Sequence, residues 1–210
     1  MNPFTSKFDA WFRKKVNLSA EEMRGLKLFE GKGKCAECHP SKGGSRGTPP
    51  LFTDFTYDNL GMPKNQQNPF YVMPAKWNPE GKAFVDKGLG GFLKEAKYKA
   101  SAYEPENGKF KVPTLRNVDK RPSSKFVKAY GHNGYFKTLK EIVHFYNTRD
   151  VLGICEKVSE PRPGVNCWPG PEVSPNINKE ELGDLGLTED EENAIVAFLK
   201  TLNDGYTKEK

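Results

Sequence analysis

The chain has 210 residues, a formal net charge of +6 and 36% hydrophobic residues. Its basic residues are scattered rather than gathered into a run with interleaved aromatics. That argues against a nucleic-acid groove and leaves a solvated surface, or a lysine-rich face that steers an acidic redox partner. No apolar run approaches the length of a membrane span. Twenty glycines and sixteen prolines, with a mean hydropathy of −0.74, imply much irregular backbone and a core that would gain from a large apolar prosthetic group.

In chain order, a short amphipathic stretch around Phe8, Trp11 and Phe12 comes first. Ser19 and Glu22 then form a capping pair that opens a helix over about Ala20–Phe29, with Met23, Leu26 and Phe29 on one face. Gly31-Lys32-Gly33-Lys34 ends it. Residues 40–80, rich in Gly, Pro, Asn and aromatics, read as a loop excursion, and Phe110-Lys111-Val112 as a short extended piece at most. Thr138 and Glu141 cap a helix over about Leu139–Asn147, in which Leu139, Ile142, Val143 and Tyr146 follow a helical stripe. Residues 151–180 carry five prolines and read as a second excursion. Thr188 and Glu191 open a last helix over about Glu189–Asn203, its buried stripe Ile195, Phe198, Leu199 and Leu202, with Gly205 as its stop. The expected fold class is mostly α, with long loop excursions. Residues 1–210 are read as one domain, with about 1–18 as a lead-in and 19–210 as its body.

The strongest signal is Cys35-Ala36-Glu37-Cys38-His39, which points to a mostly α, cytochrome c-like haem domain. Two thiols at this spacing can each add to one haem vinyl group, and the next residue offers an imidazole to the iron. A redox dithiol would follow a strand, whereas here a helix precedes the motif. A zinc site would need two further ligands at zinc-finger spacing. One covalent haem c is therefore expected. Haem attachment of this kind takes place outside the cytoplasm, so the expected location is the periplasm. Met1-Asn2-Pro3-Phe4-Thr5 lacks the basic start and apolar middle of an export signal. Either such a signal has been removed or the chain is a piece of something longer. In an oxidising compartment Cys155 and Cys167 should pair, closing a loop worth roughly 3 kcal/mol.

Several blocks carry a family resemblance. Phe110-Lys111-Val112-Pro113-Thr114-Leu115-Arg116-Asn117-Val118 resembles the F-x-x-P-T-L-R-N-V signature of the bacterial di-haem cytochrome c peroxidase and MauG family. Tyr130-Gly131-His132-Asn133-Gly134 with Thr138-Leu139-Lys140-Glu141 is similar to its Y-x-H-[DSN]-G…T-L-x-E run. Leu185-Gly186-Leu187-Thr188 through Ala197-Phe198-Leu199 is similar to its closing helix, and Phe52-Thr53-Asp54-Phe55 with Asn59-Leu60-Gly61 to the loop after its second haem motif. The resemblance is to the C-terminal half, whose haem donates electrons or stores oxidising equivalents, and Met1-Asn2-Pro3-Phe4 resembles the junction between halves. It implies an oxidoreductase domain with a redox protein as partner, of which an upstream haem domain is one form. The rivals are a stand-alone mono-haem electron carrier without catalysis and a haem sensor with an open iron.

Gly131 stands where the family often has Met or Phe, and about six extra residues (Lys120–Lys125) precede the His132 block. The family's calcium site uses T-x-P just before that His. Val127 and Ala129 occupy the matching positions, which speaks against calcium there. Fourteen residues after the motif His the peroxidases place an axial Met and the MauG-type proteins a Tyr. Counting from His132 reaches Tyr146, whose place on the helix stripe also points it inward. Tyr146 is thus expected as the iron's second axial ligand opposite His39, against a plain core tyrosine. Met62 and Met73 are the alternatives. His144 is read as a surface residue, His132 as a group near the haem edge, and Arg116 as a partner of a haem propionate or of a surface charge.

Overall fold

The computed structural model describes residues 3–207, so Met1 and Asn2 of the junction-like start lie outside the described residues. Seven α-helices and four two-residue strands are present among them: α1 (Lys7–Phe12), α2 (Ala20–Glu30), α3 (Cys35–Cys38), α4 (Gly88–Glu95), α5 (Ala100–Tyr103), α6 (Leu139–Thr148) and α7 (Glu189–Lys200), with β1 (Tyr57–Asp58), β2 (Phe110–Lys111), β3 (Gly153–Ile154) and β4 (Cys167–Trp168). The fold is mostly α, as expected. Among the described residues no helix is long and apolar enough to cross a membrane.

Four helices begin at reciprocal capping boxes: Ser6/Asp9 on α1, Ser19/Glu22 on α2, Thr138/Glu141 on α6 and Thr188/Glu191 on α7. Each box satisfies N–H groups that the first helical turn would otherwise leave unpaired. The last helix ends at Lys200, three residues earlier than expected. Beyond it the Thr201 and Leu202 amides turn back to the carbonyls of Phe198 and Leu199 at 2.9 and 3.2 Å, and the Thr201 hydroxyl also donates to the Phe198 carbonyl at 2.6 Å. Helix α4 was not anticipated. Its first turn is glycine-rich, a composition that hides a helix, yet Gly90 is buried against Asn107, where a Cβ would meet the Asn107 amide nitrogen at 2.5 Å.

Helices α2 and α7 pack most closely. Gly25 permits it: a methyl group there would fall inside the Ala194 carbonyl and lie 2.8 Å from Phe198 Cβ. Around this crossing Phe8, Phe29, Phe52 and Phe198 form an edge-to-face cluster, with centroids 5.1 Å apart for Phe8–Phe52 and for Phe29–Phe198. This is the geometry that ring quadrupoles favour. Behind α6 a second cluster joins Phe136, Phe145 and Trp168, also at 5.1 Å for the Phe136–Phe145 and Phe145–Trp168 pairs.

The long connections are tied down rather than loose. β1 pairs antiparallel with β2, and β3 pairs parallel with β4. The Cys155–Cys167 disulfide closes the proline-rich excursion, with Cα atoms 4.9 Å apart. The chain ends meet: Thr5 donates its amide to Asp204 Oδ1 at 2.7 Å, and the Tyr206 amide returns to the Thr5 carbonyl at 3.0 Å.

Candidate haem site

Helix α2 delivers the chain to the Cys-x-x-Cys-His segment through a turn that only particular backbones can make. Gly33 donates its amide to the Leu28 carbonyl at 2.8 Å. A side chain on it would press on that carbonyl at 2.9 Å and on Ile195 Cδ1 at 3.1 Å. Lys34 then takes a left-handed φ of 52°, and Cys35–Cys38 forms a single helical turn.

His39 follows, its amide bonded to the Cys35 carbonyl at 2.9 Å. Its Nδ1 lies 2.8 Å from the Phe52 carbonyl oxygen. A carbonyl only accepts, so Nδ1 carries the proton and Nε2 is left with a free lone pair, the state a metal-ligating imidazole needs. Phe52 is fully buried and has a φ of 53°, a left-handed conformation that costs a bulky residue about 1 kcal/mol or more. The Thr114 hydroxyl bonds the neighbouring Leu51 carbonyl, and the Leu115 amide shares the Phe52 carbonyl at 3.3 Å. The P-T-L-R-N block therefore braces the loop that orients His39. Burial is the main influence on the imidazole and lowers its pKa, favouring the neutral form.

Cys35, Cys38 and His39 open onto a cavity of about 510 Å³, walled largely by apolar side chains including Phe29, Leu139, Val143 and Leu199. That volume is in the range of cofactor sites. Met62, His132 and Tyr146 line the same cavity. The two thiols are free. Burial pushes both up to about 12, and at Cys38 the carboxylates of Glu181, Asp58 and Asp54 add to it. A reactive Cys-x-x-Cys thiol is shifted the other way.

Tyr146 shares its helix face with the cavity-lining Ile142 and Val143. Burial raises its pKa, as do the Cys35, Cys38 and Asp58 charges, with Arg149 opposing. Among the described residues its hydroxyl has no hydrogen-bond partner. That leaves the oxygen of this half-buried side chain available to a bound group. The donor set, the free Nε2 and this hydroxyl together fit a haem joined through the two cysteines.

Met62 is 4% exposed, and its position is strongly fixed. Glu172 N–H donates to its carbonyl at 2.9 Å, and Arg149 Nη1 to the preceding Leu60 carbonyl at 2.9 Å. Gly131, at φ 78°, makes room for it: a Cβ there would overlap Met62 Cε and lie 2.7 Å from Sδ. The thioether thus fills space that the family often gives to a side chain at position 131.

Two sequence expectations are corrected. Met73 is 43% exposed and does not border the cavity; it follows the turn Pro69–Val72, which buries Tyr71 in its place. Arg116 is no propionate partner. Its Nη1 bonds both Asp9 oxygens at 2.9 and 2.8 Å, and its Nε and Nη2 donate to the Pro50 carbonyl at 2.9 and 2.7 Å. Nε, Nη1 and Nη2 are thus each engaged within the protein, by Asp9 and Pro50.

His132 stacks on Phe110 with centroids 3.5 Å apart, its Nε2 3.9 Å from the buried Glu172 carboxylate. His144 is tied down rather than free on the surface: its Nδ1 meets Glu192 Oε1 at 2.8 Å, and Lys140 and Asn147 join the same carboxylate. This cluster lines a second cavity of about 700 Å³ beside Trp168. It holds neither Cys35 nor Cys38, and its His144, Lys140 and Glu192 side chains are paired with one another.

No protein-family model matches the chain. It is 31% identical over 201 residues to the cytochrome-c peroxidase IdrP1 of Denitromonas iodatirespirans, covering 93% of this chain and 44% of that protein. It is 32% identical over 205 residues to the methylamine utilization protein MauG of Paracoccus denitrificans, covering 97% and 47%. Among solved structures, the di-haem peroxidase BthA of Burkholderia thailandensis superimposes with a TM-score of 0.68 at 28% identity, over 96% of this chain and 46% of that one. Sequence and fold agree over almost the whole chain, which spans a little under half the length of these relatives; its homologues over that length are members of the bacterial di-haem cytochrome c peroxidase and MauG family.

Proposed function

We propose that this chain is the electron-input or charge-storing haem domain of a di-haem peroxidase or MauG-type oxidoreductase, corresponding to the family's C-terminal half and working in the periplasm with a redox protein or a second haem domain as partner. Cys35 and Cys38 would hold the haem c covalently, and His39 Nε2 and the Tyr146 oxygen would be the protein groups that bind its iron. The bound haem contributes reversible one-electron chemistry at iron. The chain's own residues set its terms. The Phe52 carbonyl fixes the His39 ring and tautomer. The apolar wall excludes water, and the Tyr146 oxygen, a hard donor once deprotonated, favours the oxidised iron. The observation that carries this reading is the convergence of Cys35, Cys38, the free Nε2 of His39 and the unpartnered Tyr146 hydroxyl on one cavity.

With both axial positions filled by protein, the isolated holo-chain should show little peroxidase turnover with a small electron donor. Turnover like that of a genuine peroxidase would mean an open iron and a misassigned half. Met62 favours a second reading. Its buried thioether lines the same cavity, and a Met-ligated iron would make a stand-alone, higher-potential electron carrier.

A further inference from the structure

The wall of the cavity beside Cys38 holds an arrangement that packing alone does not explain. A carboxylate oxygen of Asp58, one of Glu181 and the Cys38 sulfur all lie within 4.8 Å of one another. The two acids come from distant parts of the chain, β1 and the end of the proline-rich excursion. Asn178 holds them together: its Nδ2 donates to Asp58 Oδ2 at 2.6 Å and to Glu181 Oε2 at 2.5 Å, and its Oδ1 accepts the Glu181 amide at 3.0 Å.

Among the described residues neither acid makes an ion pair. Arg149 reaches the same loop, donating to the Asn178 carbonyl at 2.7 Å, but its charge is paired with Asp150. Lys34 donates to the Glu180 carbonyl. In a chain with 33 Lys and Arg against 27 acids, two half-buried carboxylates held together without a cation are conspicuous, because like charges at such range repel.

We propose that Asp58 and Glu181 form an uncompensated carboxylate edge at the Cys38 attachment point, and that this edge lowers the haem's reduction potential by favouring the positively charged, oxidised iron. The inference rests on the haem reading above and adds two residues that act on the haem through space. Their effect follows from Coulomb's law: a fixed negative charge beside a redox centre stabilises the form with one more positive charge, and it does so more strongly where low-dielectric walls limit screening. Asp54, whose charge also acts on Cys38, adds to the same field. This would keep the domain oxidised where a neutral edge would let it be reduced, as suits a store of oxidising equivalents.

The test is a redox titration of the holo-chain at neutral pH, for the parent and for Asp58→Asn, Glu181→Gln and the double variant. Both amides keep an oxygen that can accept from Asn178. Glu180→Gln, an exposed neighbour, controls for net charge. Expected is an upward shift in midpoint for each single variant and a larger one for the double. At a redox-buffer potential equal to the parent's midpoint, this reads as a fall of about tenfold in the oxidised-to-reduced ratio per charge removed. The control should stay near the parent. Unchanged midpoints in Asp58→Asn and Glu181→Gln, or an equal shift in Glu180→Gln, would overturn the inference. A parent without covalent haem, seen by pyridine haemochrome, would instead overturn the reading on which it rests.

Discussion

Replacing Arg116 with Met removes a guanidinium that is 5% exposed and pairs with an Asp9 that is 0% exposed. The stem and its packing remain, but Asp9 is left as a buried carboxylate held only by the Ser6 amide at 3.0 Å and hydroxyl at 2.6 Å, and the Pro50 carbonyl loses both donors. Breaking a buried pair by removing one partner costs about 3–5 kcal/mol, because the other charge stays desolvated. For a chain of this size that is a fall in Tm of roughly 10 °C. The Soret spectrum of the folded variant should match the parent's, since the guanidinium is taken up by Asp9 and the Pro50 carbonyl. Adding Asp9→Asn should recover part of the loss, because the uncompensated charge is gone. The assay is thermal unfolding followed by circular dichroism, with visible spectra of the folded state. A Tm within about 2 °C of the parent, strict additivity in the double variant, or a changed haem spectrum without lost stability would refute the assignment and restore Arg116 as a propionate partner.

Other outcomes follow from the same structure. Tyr146→Phe keeps the ring and removes the oxygen, so the ferric spectrum should move from six-coordinate low-spin to high-spin or to a new ligand set. An unchanged spectrum, with a methionine-to-iron charge-transfer band in the parent, would give the position to Met62. Cys155→Ala with Cys167→Ala should lower stability by roughly 3 kcal/mol through the freed loop, and equal Tm values for parent and variant would contradict this. Gly25→Ala should cost about 1–3 kcal/mol by forcing α2 away from the Ala194 carbonyl; a more stable variant, as helix propensity alone predicts, would mean the crossing is looser than described.

What could be read from sequence was local. The capping boxes at Ser19, Thr138 and Thr188 lie within four residues of the helices they open, and those helices start where expected. Tyr146 was placed on the correct face because a helical stripe fixes direction without knowledge of the neighbour. What could not be read was decided across the fold. Arg116 meets Asp9 across 107 residues of chain, and Asp58 shares Asn178 with Glu181 across 120. Nothing near Arg116 in sequence announces the pocket that takes its guanidinium. Met73 and Met62 look alike as loop methionines, and only the Gly131 backbone and the Glu172 hydrogen bond single out Met62. Helix α4 was obscured by its glycines: Gly88 takes a left-handed φ of 55° against Lys109, and Gly90 serves a close contact with Asn107.

The most direct test of the account is the mass of the polypeptide after export-competent expression with haem-attachment machinery, measured under acid denaturation. The expected result is one species carrying the mass of a single haem, which survives acid-acetone extraction and disappears in the Cys35→Ala, Cys38→Ala variant. A bare polypeptide whose haem extracts into the solvent, or a variant lacking both cysteines that still holds haem covalently, would contradict it.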